Sequence, residues 1–245
     1  MTTLPSPTLQ PDDSGPVAPG WHTAMVLVFL AAFTGLSVWR GSLTPVGEVG
    51  SKARLASYAT VLVWEWLMVG FIAWGIGKRG VRLWGLVAGR WTGPSSFFRD
   101  LGIAVVFLLG SSVVLQLVRF ALRAETGRAV INLLPNSPLE RAVWIALSAT
   151  AGICEEIIFR GYLQQQLGRL TGSMRMGLTL QAVVFGACHL YQGWKSAITI
   201  AVFGLLFGLL AHYRKSLRPG MLAHFTQDTA AGLAGRWLLE HAPRS

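Results

Sequence analysis

"AVWIALSATAGICEEIIFRGYL", residues 142–163, opens as the first half of a membrane helix and then places Glu155, Glu156 and Arg160 within six positions. A helix needs about 20 mostly apolar residues to cross a hydrocarbon core, and this stretch is long enough. An ionised side chain at mid-bilayer costs roughly 2.5–3.5 kcal/mol on insertion scales, so such groups are rare and usually functional. The reading of the whole chain turns on what chemistry keeps three of them here.

The rest of the sequence agrees with a membrane setting. Of 245 residues, 52% are hydrophobic and only 13% charged, and mean hydropathy is +0.49. A soluble domain carries nearer a quarter charged residues. The fold class is therefore all-α, a polytopic transmembrane helical bundle of about seven or eight membrane helices. Apolar runs place spans at 23–39, 55–77, 101–118, 142–162, 177–192, 195–212 and 218–239. The segment "GVRLWGLVAGRWTGPSSFFRD" (80–100) mixes Trp, Phe and Arg with glycines and a proline. It reads as an interfacial or re-entrant piece with aromatic anchors, and would be the eighth pass if it entered the membrane.

Residues 1–20 hold five prolines and no basic residue, the composition of a disordered tail. Residues 21–130 form an N-terminal set of membrane helices, and residues 140–240 a second set that carries the polar groups. Net charge is +10, from 21 Lys/Arg against 11 Asp/Glu. Lys78, Arg79, Arg82, Arg214, Lys215 and Arg218 fall between apolar runs, where anionic lipid headgroups rather than a nucleic acid are the expected partner. The basic residues divide almost evenly between the two sides, so the positive-inside rule assigns no orientation. Cys154 and Cys188 lie inside apolar runs and read as small packing residues.

In the last four spans the strongly polar side chains are few. Glu155, Glu156 and Arg160 lie in the fourth, Gln181 and His189 in the fifth, and His224, Gln227 and Asp228 in the seventh. Neighbouring residues on a helix point about 100° apart, so Glu155 and Glu156 cannot share one role. Glu156 and Arg160 have the i,i+4 spacing, acid first, of a helical ion pair. That pairing leaves Glu155 as a free carboxylate suited to general-base work. His224 and Asp228 share a helix face. Phe185 lies one turn before His189 and reads as packing more than as a substrate wall. Glu65, in "VWEWL", reads as a buried hydrogen-bonder to a neighbouring helix, with a supporting role in the site as its alternative. His22 and His212 read as interfacial anchors, and Gly204 and Gly208 as a small-xxx-small packing face.

Three helices each bearing ionisable groups leave catalysis or transport as the live classes. Transport proteins often carry internal repeats, and none is visible. No His-Glu pair exists for a zinc H-E-x-x-H site. Asp228 is the sole membrane aspartate available for an aspartyl dyad, and no serine sits in a Gly-x-Ser-x-Gly setting. Glu155, His189, His224 and Asp228 are metal-ligand types, but their spacing is not diagnostic of a metal.

In this order on successive spans, E-E-x-x-x-R (Glu155, Glu156, Arg160), F-x-x-x-H (Phe185, His189) and H-x-x-x-D (His224, Asp228) resemble the signature motifs of a known family. It is the CAAX-protease and bacteriocin-processing (CPBP, Abi) family of intramembrane endopeptidases, and the likeness covers roughly residues 140–240. The resemblance implies a glutamic peptidase in which Glu155, helped by His189, activates a water. His224 and Asp228 would stabilise the oxyanion or orient the water, Asp228 standing where many relatives have Asn. Glu156 and Arg160 would hold Glu155 in place, with no cofactor. The expected substrate is a protein or peptide presented at the bilayer, and the expected location a bacterial inner membrane. The alternative class is a non-enzymatic immunity or partner-binding protein, or a proton-coupled carrier.

Overall fold

The computed structural model describes residues 15–43, 49–124 and 128–241. The chain forms α1 (Gly20–Leu43), α2 (Ser51–Gly77), α3 (Leu83–Val87), α4 (Pro94–Leu122), α5 (Arg128–Leu133) and α6 (Pro138–Glu155). A π-helical segment, Glu156–Leu163, continues α6 into α7 (Gln164–Leu170). Then come α8 (Met174–Cys188), a 3₁₀ turn (Leu190–Gln192), α9 (Trp194–Arg214) and α10 (Arg218–His241). No strand occurs among the described residues.

The expected spans 23–39, 55–77, 101–118, 195–212 and 218–239 each fall inside one helix, 142–162 crosses from α6 into the π-helical segment, and 177–192 runs past the end of α8 into the 3₁₀ turn. Among the described residues five helical stretches are long and apolar enough to cross a membrane: α1, α2, α4, the continuous run from α6 through α7, and α9. The chain is an integral membrane protein. Helix α8 is apolar but shorter, and α10 is interrupted by the polar run His224–Asp228. The outer face of α4 exposes Val106, Leu109, Val113, Leu117 and Phe120, side chains that would be solvated by lipid rather than water.

Segment 80–100 contributes only the five residues of α3 before α4 begins. Five helical residues rise about 7.5 Å against a core of about 30 Å, so this segment does not make an eighth pass. It is tied to the junction of α9 and α10. The Leu217 amide donates to Val87 O (2.9 Å), and Arg218 Nη2 donates to Gly89 O (2.5 Å). Trp84 and Phe98 stand exposed on it.

Helix α6 begins where the sequence dictates. Pro138 occupies its first turn, and Ser137 Oγ accepts from the Glu140 amide (3.2 Å). The Glu140 carboxylate in turn accepts from the amides of Asn136 (2.5 Å) and Ser137 (3.1 Å). This reciprocal arrangement is a capping box. Glu140 also pairs with Arg54 of α2 at 3.2 Å, both side chains buried. That pair sets the register of α2 against α6. Eleven residues further along α2, about three helical turns, the same face carries Glu65.

Helix α1 docks on the π-helical segment through a buried polar network. His22 Nε2 donates to Phe71 O (3.0 Å), since a carbonyl can only accept, and His22 Nδ1 therefore accepts from Tyr162 Oη (2.8 Å). Thr23 Oγ1 lies 3.1 Å from the same hydroxyl and accepts from Gln166 Nε2 (2.9 Å). Gln166 also exchanges two hydrogen bonds with the backbone of Ala18. His22 is thus fully buried rather than an interfacial anchor. Within the expected N-terminal tail, residues 1–14 lie outside the described residues, whereas Val17 and Ala18 are packed in the core.

Candidate active site

Acidic side chains of α6, the π-helical segment and α10 meet at His224. Its Nδ1 is 3.2 Å from Glu156 Oε1. Its Nε2 is 3.5 Å from Glu155 Oε2 and 3.5 Å from Asp228 Oδ2. The imidazole therefore has one nitrogen on a fully buried carboxylate and the other between two partly open ones. The Glu155 and Asp228 side chains are 18% and 36% exposed, so the opening of the cluster lies on their side.

The neighbouring glutamates have separate jobs, as their helical spacing requires. Glu156 Oε1 meets Arg160 Nη1 at 3.0 Å, and neither side chain has any exposure. Arg160 is enclosed by rings, its guanidinium carbon 4.3 Å from the centroid of Phe185 and 5.0 Å from that of Phe207. A planar, weakly hydrated cation suits such an aromatic cage. Arg160 Nη2 also donates to Gly204 O (3.3 Å). Through the same Glu156 Oε1 the pair also meets His224, at Nδ1.

The π-helical segment starts directly after Glu155 and is buried throughout. Widened turns of this kind occur mostly at functional sites. Here the change of winding lies between Glu155, on the open side, and Glu156, in the core.

Small residues leave room for the cluster. A Cβ on Gly220, one turn before His224, would lie 2.9 Å from Glu156 Oε2. A Cβ on Gly152 would lie 2.9 Å from Met221 O and the Phe225 amide, so α6 and α10 touch backbone to backbone there. Gly204 and Gly208 bring α9 against α8 and α7 and present their carbonyls to Gln181 Nε2 (3.0 Å) and Gln164 Nε2 (3.2 Å). The small-xxx-small spacing thus serves polar satisfaction as well as close packing.

His189 ends α8. Its Nδ1 donates to Phe185 O (2.8 Å), which leaves Nε2 free to accept or to carry a second proton. Its ring lies 4.9 Å from Phe185 and 6.1 Å from Tyr191. His189 is within electrostatic reach of Asp228. Phe185 is buried and packs against Phe159 at 4.8 Å, so it shapes the cage around Arg160.

Glu65 departs from its expected role. It is buried, and its Oε2 has no hydrogen-bond partner among the described residues. The charges it feels are those of Glu155, His224 and Asp228. Tyr191, also absent from the motif-based set, lies within reach of Glu155, Asp228 and Glu65. Neither residue stands at a motif spacing; a carboxylate isolated in an apolar run was the one available signal for Glu65. Among the described residues no three His, Cys, Asp or Glu side chains are arranged to hold a metal ion.

A buried acid–imidazole cluster inside a membrane bundle defines the class: an integral membrane protein with a polar centre built on its C-terminal helices. Residues 137–230 match the family model described as Rce1-like, the type II CAAX prenyl endopeptidase family. The likeness read from the motifs holds over that segment, which falls in the CPBP/CAAX protease family. Neither the curated proteins nor the solved structures give a match.

Proposed function

We propose that the chain is an intramembrane endopeptidase that hydrolyses a peptide bond in a membrane-presented protein or peptide with a glutamate-activated water. The observation that carries this is the placement of His224 Nε2 3.5 Å from both Glu155 and Asp228, on the open side of an otherwise buried cluster. The endopeptidase family matched by residues 137–230 supports the same class of reaction.

In this mechanism Glu155 takes a proton from water, and the hydroxide attacks the scissile carbonyl carbon. His189, with Nδ1 committed to Phe185 O, offers Nε2 to the same water. His224 donates from Nε2 to the developing oxyanion while Glu156 holds Nδ1. Charge-assisted donors preset in a dry site are usually the largest single contribution to such a rate. Asp228 orients His224 or, when protonated, adds a donor. The catalytic core spans residues 140–240 of a bacterial inner-membrane protein, and no cofactor is invoked.

Peptide-terminus profiling of membrane and secreted fractions tests this. Host cells with the wild-type protein are compared with cells carrying Glu155→Gln at matched protein level. Termini that vanish in the variant establish the peptidase and name its substrate. Identical termini in both strains contradict it and favour an immunity or partner-binding protein.

A further inference from the structure

The N-terminal helices hold a residue for this centre, although the family match begins only at residue 137. Glu65 lies on α2, which packs against both α6 and the π-helical segment. It is 5% exposed, and its Oε2 is buried without a hydrogen-bond partner among the described residues. A buried, unpartnered carboxyl oxygen costs at least as much as a lost hydrogen bond, so it needs an explanation. The groups whose charges reach Glu65 are Glu155, His224 and Asp228. Cys154 and Tyr191 also lie within its reach.

Charge counting points to its role. Three carboxyl groups, those of Glu155, Glu156 and Asp228, meet His224, while Glu65 is within electrostatic reach of His224 and His189 within reach of Asp228. Among the described residues the permanent cation in this cluster is Arg160, committed to Glu156 at 3.0 Å. Three acids therefore face one or two imidazoles in a poorly solvated site. Like charges so placed cannot all ionise, so one carboxyl holds a proton. The Asp228 and Glu155 side chains are partly exposed, whereas Glu65 is enclosed.

Peptide hydrolysis needs such a proton at its second step. We infer that Glu65 is a further catalytic residue, the general acid that protonates the leaving amine. This rests on the peptidase reading above. In the first step a water O–H bond breaks towards Glu155 as the new C–O bond forms. In the second step the C–N bond breaks with its electron pair going to nitrogen, which takes the proton from the Glu65 carboxyl. Glu155 is left protonated and Glu65 ionised. Transfer of that proton through His224 or an entering water resets both, and the sum is peptide plus water giving acid plus amine.

The test extends the terminus profiling to Glu65→Gln and Glu65→Asp, beside wild type and Glu155→Gln, at matched membrane level. The thermal unfolding temperature of each detergent-solubilised variant is measured alongside. Gln keeps the shape and hydrogen-bonding capacity of the carboxyl but has no proton to give. The expected result is that Glu65→Gln lowers product termini at least tenfold with an unchanged unfolding temperature, while Glu65→Asp recovers part of the yield. Wild-type yield from Glu65→Gln overturns this role and leaves the peptidase standing, provided Glu155→Gln is inactive. A loss that tracks a lowered unfolding temperature, with no recovery by Asp, overturns it in favour of a structural role. Termini that do not depend on Glu155 overturn both.

Discussion

At the scale of single residues, the centre works by dividing two adjacent glutamates between two tasks. Glu156 is fully buried with Arg160 and His224, and Glu155 faces the open side. Replacing Glu156 by Gln leaves Arg160 as a buried cation without its carboxylate. Breaking one side of such a pair costs about 3–5 kcal/mol. A clearly lowered unfolding temperature in detergent, together with loss of cleavage, is the expected outcome; an unchanged unfolding temperature would contradict the account of the pair. Asp228 should behave differently. Asn has nearly the same shape and always offers an N–H donor, so Asp228→Asn should keep cleavage within about tenfold of wild type. Asp228→Leu removes both functions and should cost on the order of 10²–10³ in rate. Turnover of the substrate named by profiling checks both.

At the scale of elements, close helix approach sets the dimensions of the site. Gly220 spares the Glu156 carboxylate, which a Cβ would reach at 2.9 Å. Gly220→Ala should therefore lower stability by about 1–3 kcal/mol, the usual cost of overpacking. Gly102→Ala on α4 meets nothing within 4 Å and should be neutral or slightly stabilising. Thermal unfolding of the two variants compares them directly. Much of this level is legible in the sequence. The long helices follow from apolar runs, and the Glu156–Arg160 pair follows from its i,i+4 spacing. Residues 185, 189, 224 and 228 are joined in pairs by one helical turn. What the sequence hides is winding and partner choice. Nothing in "EEIIFRGYL" announces a π-helical stretch, and helical spacing alone cannot tell that Glu156 also meets His224. The capping box at "NSPLE" is readable, but its further use in binding Arg54 depends on which helix lies beside it.

At the scale of the whole molecule, the N-terminal helices belong to the same packed body as the motif-bearing ones. Ala18, His22 and Thr23 satisfy Tyr162 and Gln166, immediately C-terminal to Arg160. Removing residues 1–43 would leave those polar groups in the apolar interior without partners. The truncated chain should fail to accumulate in the membrane, as immunoblotting would show; normal accumulation with normal cleavage would contradict an integrated fold. The groups that act on Glu65 and His22 from other helices lie 49 or more positions away along the chain. Local sequence patterns carry no information about such pairs, which is why Glu65 reads as a lone hydrogen-bonder and His22 as an interfacial anchor until the helices are assembled.

The central claim is that the Glu155 carboxylate activates the water that cleaves the peptide bond. Its most direct test uses purified protein in liposomes with the substrate identified by terminus profiling, comparing wild type with Glu155→Gln under single-turnover conditions. Loss of a general base lowers rates by about 10²–10⁴. A fall of that size, with substrate binding and thermal stability unchanged, is the predicted result. Cleavage at the wild-type rate by Glu155→Gln would contradict the account.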